Sequence, residues 1–294
     1  MSDPTTTTGT TTGTADHGTA DHGTAGPDAY PTPISPAPAG RPGFGTVLLG
    51  VVGEVLITLG LVLALFVVWQ LWWTDVVADA EKGRIIAELD WVRTVEDLSD
   101  EPGPAEPDPD ETAPPEQRTG PAPVPEVPPH ATTFASLRIP RWGPDYVSLI
   151  SQGTTRRDVL DVLGNGHYEG TAMPGEIGNF AVAGHRTTYG KPLNRVAELE
   201  VGDPIVVQTA DTWYVYRVTE TLIVTPTEVE VILPVPSQPG AAPSEAMMTL
   251  TTCHPMFSAA ERFIVHATLE SWLPVAEGTP VELTGLTADP AGGA

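Results

Sequence analysis

Residues Val47 to Trp73 read VLLGVVGEVLITLGLVLALFVVWQLWW, an apolar run broken only by Glu54, Thr58 and Gln70. At about 1.5 Å per residue a helix of this length crosses a hydrocarbon core of about 30 Å, with Trp69, Trp72 and Trp73 where indoles favour the interface. Lipid offers no partners to backbone amides, so a single span must be helical. A transmembrane helix is therefore expected over residues 44–74. Glu54 is costly inside a bilayer and is expected near the cytoplasmic interface. Ala78-Asp79-Ala80 has the pattern of a signal-peptidase site, but the run is too long and too far from the N-terminus for a secretory signal, so a retained anchor is expected. Charge hardly decides orientation: Arg41 precedes the span, and Lys82 and Arg84 follow it among acids.

The segments flanking the span have little capacity to fold alone. Residues 1–43 are low in complexity, with a threonine run, the repeat GTADHGTADHGTA and a Pro-rich stretch. Asp16, His17, Asp21 and His22 are two isolated Asp-His pairs, a weak metal tract, and the segment is expected to be a disordered tail. Residues 75–130 carry 15 acidic against 4 basic residues and many prolines, the composition of a solvated stalk. They account for much of a formal net charge of −24, which argues against nucleic acid as a partner.

Residues 131–294 are long enough for one core. DPIVVQT, WYVYRVTETLIV, AMMTLTTC and RFIVHATL are short β-rich runs bounded by Gly, Pro, Asp or Ser. One helical stretch, TTRRDVLDVLG, has Thr154 or Thr155 as its cap and Gly164 as its stop. The pattern predicts an all-β fold, an antiparallel barrel with a few short helices.

Cys253, in TLTTCHP, is the only cysteine in the chain. It cannot form an internal disulfide, and by composition alone it reads as a small buried hydrophobe. Its position adds a second reading. It ends one predicted strand, and the next begins near Arg262; if the two pair antiparallel, both residues lie at one edge of the sheet. A thiol becomes a nucleophile when a base or a positive charge favours the thiolate. Of the seven histidines, His17 and His22 lie in the tail and His130 in the linker. His254 is adjacent in sequence and so faces away if the strand continues through it. His266 lies within a strand, where a packing or hydrogen-bonding role is expected. His167 and His185 remain, and His185, following a short apolar strand and a glycine, is the better placed to be aimed into a cleft.

TLTTC resembles the TLxTC signature of sortases, and AGHR before it with ERFIV after it supplies the His, Cys, Arg order of that family. The resemblance runs from FASLRIPRWG through GTAMPGEIGNFAVAGHRTTYG and ELEVGDPIVV to TLTTCHPMFSAAERFIV. GHRTTYG and CHPMFSAAERFIV look like class E sortases, the housekeeping type of high-GC Gram-positive bacteria. KPLNRV departs from the pattern, which has a phenylalanine after the proline. The resemblance implies an eight-stranded β-barrel behind a single-pass anchor, with the N-terminus cytoplasmic and the catalytic domain extracellular. It implies a cysteine transpeptidase in which Cys253 attacks the Thr-Gly carbonyl of a sorting signal, His185 exchanges protons with the departing and incoming amines, and Arg262 holds the substrate backbone or the oxyanion. It further implies that Thr252 helps bind the signal and that Tyr189 accompanies a preference for Leu-Ala-X-Thr-Gly. The implied partners are secreted proteins bearing that signal and an amine of a lipid-linked peptidoglycan precursor or cross-bridge. No cofactor or metal is implied. A single thiol suits this role, since a second could trap the nucleophile as a disulfide outside the cell.

Three other readings share some of these residues. A hydrolytic cysteine protease would release the acyl group to water. A pilin-polymerising sortase usually carries an Asp-Pro-aromatic lid, and no such motif occurs between Asp75 and Phe134. A non-catalytic barrel that binds wall ligands would need the His, Cys and Arg contexts to coincide by chance.

Overall fold

The computed structural model describes residues 43–93, 97–98 and 116–284. The Asp-His pairs of the tail and much of the acidic stretch lie outside the described residues. The chain divides into two units, Met1–Leu56 and Ile57–Ala294. The barrel and all the site geometry lie within the second.

Helix α1 spans Phe44–Glu88. Among the described residues it is the one helix long and apolar enough to cross a membrane, and its apolar window is wholly exposed. The rings of Trp69 and Trp73 stack with centroids 6.4 Å apart, as residues one turn apart on a helix should. The helix continues past the expected end of the span. Its last turns change character, with Arg84 bridging Glu81 and Glu88 at 2.5 and 2.6 Å.

Eight strands close a barrel in the order β1-β2-β3-β4-β7-β8-β6-β5. They are β1 (Thr133–Arg138), β2 (Ser148–Gln152), β3 (Asn165–His167), β4 (Gly178–Ala183), β5 (Pro204–Gln208), β6 (Thr212–Val224), β7 (Ala246–His254) and β8 (Glu261–Pro274). The four runs read as strands from the sequence become β5 to β8. The barrel is mixed: β2 pairs with β3, and β4 with β7, in parallel. The all-antiparallel expectation failed at those two seams, because each joins strands linked by a crossover rather than a hairpin.

Alternation along the strands sorts the side chains. Ile205 and Val207 of β5 and Tyr214, Tyr216 and Val218 of β6 enter the barrel core with Phe180, Met248, Leu250 and Val265. Val206, Trp213 and Val215, their neighbours in sequence, point outward into a second cluster with Leu273 and Leu283. A period of two thus fills both faces, the behaviour of a strand covered on each side. Closure leaves no free sheet edge, and the site sits at one end of the barrel.

Part of the stretch read as a solvated stalk packs on the barrel. Ile85 and Val92 are buried against Leu149, Arg118 pairs with Trp272 in an isolated bridge, and the Tyr214 hydroxyl donates to the Pro123 carbonyl at 2.8 Å. Apolar residues spaced among acids and prolines give no periodic signal, so composition alone hid these contacts.

Candidate active site

The site is built where β4 and β7 end side by side. Their parallel register runs from Gly178↔Ala246 to Ala183↔Thr251. Beyond it the Gly184 amide donates to the Thr251 carbonyl at 3.1 Å, and the Thr252 hydroxyl donates to the Gly184 carbonyl at 2.7 Å. Two residues past the last register pair on each strand stand His185 and Cys253. Neighbouring strands lie about 4.8 Å apart, so the ladder delivers imidazole and thiol to one end of one seam.

Gly184 is required at this point for lack of space. A Cβ there would lie 2.3 Å from Asn165 Oδ1 and 2.9 Å from Leu193 Cδ1. Asn165 is fully buried and its amide nitrogen donates to Ser148 Oγ at 2.8 Å, so it cannot easily withdraw. Gly184→Ala is expected to destabilise the fold by about 1–3 kcal/mol, the usual cost of overpacking. An unchanged melting temperature of the full chain in detergent would contradict it.

The antiparallel register of β7 and β8 makes Cys253 the direct partner of Arg262. The expectation that these two residues share a sheet edge is met. The thiol is free and half-buried. Arg262 Nη1 donates to the carbonyls of Ala259 and Glu261 at 3.0 and 2.9 Å, which holds the guanidinium against the turn between β7 and β8.

A second arginine comes closer to the thiol's backbone. Arg186, buried, donates through Nη1 to the Cys253 carbonyl at 3.3 Å and to His254 Nδ1 at 2.7 Å. Its guanidinium lies 5.6 Å from the centre of the Phe263 ring. Burial pushes this guanidinium below its ordinary value, and negative charge at Cys253 opposes that shift. His254 is thus a fixed acceptor for Arg186 rather than a base for the thiol.

His185 is held from the other side. Its Nε2 lies 2.7 Å from Asp161 Oδ1, with both side chains largely shielded from solvent. The Tyr189 ring lies 5.0 Å from the His185 ring, tilted by 33°, and the Arg156 guanidinium lies 6.0 Å from the centre of the Tyr189 ring. Tyr189, Gly190 and Lys191 all have positive φ, at 54°, 73° and 39°. Two non-glycine residues in that region mark a strained loop. Asp75 accepts hydrogen bonds from the Gly190 amide at 3.2 Å and Lys191 Nζ at 2.7 Å, which fixes the loop.

Sequence reading thus located His185, Cys253, Arg262 and Tyr189 around one end of the barrel. Thr252 is buried with its hydroxyl committed to Gly184, so in this structure it positions the start of the His185 loop. Arg186 and Asp161 were missed. Arg186 sits inside the quoted AGHR, but adjacency alone places it on the opposite face from His185. Asp161 lies in the helical stretch, and nothing in its spacing points to His185. Two further histidines are structural: His266 Nδ1 bonds to the Thr249 hydroxyl at 2.9 Å inside the barrel wall, and His167 is buried against Gln152. A cleft of about 260 Å³ opens beside Tyr189, lined among others by Trp142, Tyr146, Leu163 and Lys191. Cys253 does not border it.

A sortase-domain family model matches residues 137–270, the segment that holds β2 to β7 entire and ends within β8. Sortase SrtE2 of Streptomyces coelicolor is 33% identical over 76% of this chain and 83% of its own length. The chain belongs to the sortase family. Sortase SrtE1 of the same organism is 37% identical over 83% of this chain, which spans 63% of that relative's length. Among solved structures, the SrtA sortase from Actinomyces oris is 44% identical with a TM-score of 0.54, covering 57% of this chain and 96% of its own. The class E resemblance read from GHRTTYG and CHPMFSAAERFIV therefore agrees with relatives that bear the class E name.

Proposed function

We propose that this sortase is a membrane-anchored cysteine transpeptidase of the cell wall. Cys253 is its nucleophile, His185 its proton carrier and Arg262 its stabiliser of negative charge. The observation that carries the reading is the convergence of two registers. The β4–β7 register ends two residues short of both His185 and Cys253, and the β7–β8 register pairs Cys253 with Arg262.

The thiolate attacks the Thr carbonyl of a Leu-Ala-X-Thr-Gly signal, the C–N bond to Gly breaks, and a thioester remains on Cys253. His185 supplies the proton that the departing amine needs and later accepts one from the incoming peptidoglycan amine. Arg262 lies across the seam from the thiol, where a fixed positive charge stabilises the tetrahedral oxyanion. Tyr189, packed on His185, shapes the surface that meets the second residue of the signal, and Thr252 acts by holding the wall beneath it. Helix α1 is a single-pass anchor with the N-terminus cytoplasmic and the barrel outside. The barrel so anchored meets secreted substrates and lipid-linked acceptors close to the bilayer.

The test uses the full chain in detergent with a Leu-Ala-X-Thr-Gly peptide, with and without an amine, followed by mass spectrometry. The expected result is an acyl adduct on Cys253 that transfers to the amine and is absent from Cys253→Ala. Release to water despite abundant amine would make the protein a hydrolase. No adduct from folded protein, with this peptide or with Leu-Pro-X-Thr-Gly, would return it to a wall-binding barrel.

A further inference from the structure

The helical stretch TTRRDVLDVLG does not fold as an ordinary α-helix. Residues Arg156–Leu160 form a π-helical turn, in which the Leu160 amide donates to the Thr155 carbonyl at 3.0 Å and the Asp161 amide to the Arg156 carbonyl at 2.8 Å. Both bonds span five residues. A π turn holds one more residue than an α turn, and such turns are rare enough that they mark function more often than chance. Here the turn ends at Asp161, and Val159, fully buried, pins it to the barrel. The residue delivered by the turn is the one whose carboxylate meets His185 Nε2 at 2.7 Å.

We propose that Asp161 is the positioning residue of the catalytic histidine, a role that rests on the transpeptidase reading above. With Nε2–H donating to Asp161, Nδ1 is the ring nitrogen that exchanges protons with substrate. When the thioester forms, the C–N bond of the signal breaks and its amine leaves with the Nδ1 proton, so the imidazolium becomes a neutral ring that keeps its proton on Nε2. When the acceptor amine attacks the thioester carbonyl, the new C–N bond forms, the C–S bond breaks to release the Cys253 thiolate, and Nδ1 takes a proton from the amine. The Nε2–H bond to Asp161 persists through both halves, and Asp161 neither gives nor takes a proton. Its contribution is to fix one tautomer and one ring orientation, as a carboxylate does for other catalytic imidazoles.

The neighbours argue for this role over an ordinary surface ion pair. Arg156 Nε also approaches Asp161 Oδ1, but at 3.4 Å and from a largely exposed side chain, so it competes weakly for the carboxylate. The Tyr189 ring closes on His185 from another side. With Asp161 bonded to one edge of the ring and Tyr189 packed beside it, the imidazole has little freedom to turn. Losing the carboxylate restores that freedom, and a reacting group displaced by about 1 Å loses on the order of 100-fold in rate.

The experiment compares the full chain with Asp161→Ala, Asp161→Asn and Asp161→Ser, in detergent, for amine-dependent transfer of the sorting peptide. Asp161→Ala and Asp161→Ser are expected to lower kcat by about 30-fold with KM for the peptide within about 2-fold, since the bond serves the reacting ring and not peptide binding. Asp161→Asn keeps the shape but can turn its amide N–H toward the ring, which selects the other tautomer, so it is expected to fall with the Ala and Ser variants. Should Asp161→Ala fail to fold, Asp161→Ser, which keeps a polar group but cannot reach the ring, carries the comparison. A folded Ala, Ser or Asn variant with kcat near the parent's overturns the proposal, and so does a loss that falls on KM for the peptide rather than on kcat. A parent chain with no Cys253-dependent transfer would instead overturn the transpeptidase reading on which this one stands.

Discussion

Replacing His185 with alanine is expected to lower acyl transfer by about 1,000-fold, within the range of about 100- to 10,000-fold that positioned acid–base groups contribute. The loss should fall on chemistry rather than on binding. His185 stands two residues past the last β4–β7 register pair, as Cys253 does on β7, and Asp161 holds its ring there. His254 is engaged by Arg186, and His266 and His167 are buried in the wall. Without His185 the amine must depart unprotonated, so kcat falls while KM for the peptide stays near the parent value. Cys253 should still be alkylated by iodoacetamide in the variant, which separates loss of the proton carrier from loss of the fold. Single-turnover mass spectrometry of the thioester is the direct measurement. A variant that acylates at the parent's rate would end the case for His185 as the general acid.

The parts of this site that the sequence disclosed are those encoded locally. Cys253 and Arg262 bracket a turn between two β-rich runs, so an antiparallel pairing was enough to bring them together. His185 was legible for a related reason, since an apolar strand followed by glycine announces a strand end. Asp161 and the β4–β7 seam were not legible. Parallel pairing joins strands far apart in the chain, and neither run says which partner it will take. Asp161 reaches His185 only after β2, the π turn and β3 have been wound past β4. The span of α1 was plain from composition, but its continuation to Glu88 was not. There the apolar residues are sparse, and it is the barrel surface around Leu149 that gives Ile85 and Val92 somewhere to be buried. Composition reports what a segment can bury alone, and a segment that borrows a neighbour's surface escapes that test.

Below neutral pH the barrel should lose stability through His167, a residue with no part in the chemistry. Its ring is almost fully buried at the end of β3, with Nδ1 2.7 Å from Gln152 Oε1 and Nε2 close to the Ala172 carbonyl and the Thr171 hydroxyl. Burial pushes its pKa down from an ordinary 6.5 to about 4, and the Ala172 carbonyl and the nearby Glu169 and Glu176 recover only part of the shift. Between those values the unfolded chain binds a proton that the folded chain refuses. Stability therefore rises with pH across the window: the contribution is complete above about 6.5 and is lost progressively as pH falls toward 4. The span of the shift corresponds to about 3 kcal/mol. Burial lowers His266 as well, so it adds with the same sign. Thermal melts of the full chain in detergent from pH 4 to 7 should show a steep acid limb, and His167→Gln, which does not titrate, should flatten it. Carboxylates contribute to both proteins equally, so the difference between the two limbs isolates the histidine. If the limbs superimpose, His167 is protonated in the folded barrel, and its bonds to Gln152 and Ala172 outweigh the cost of burying the charge.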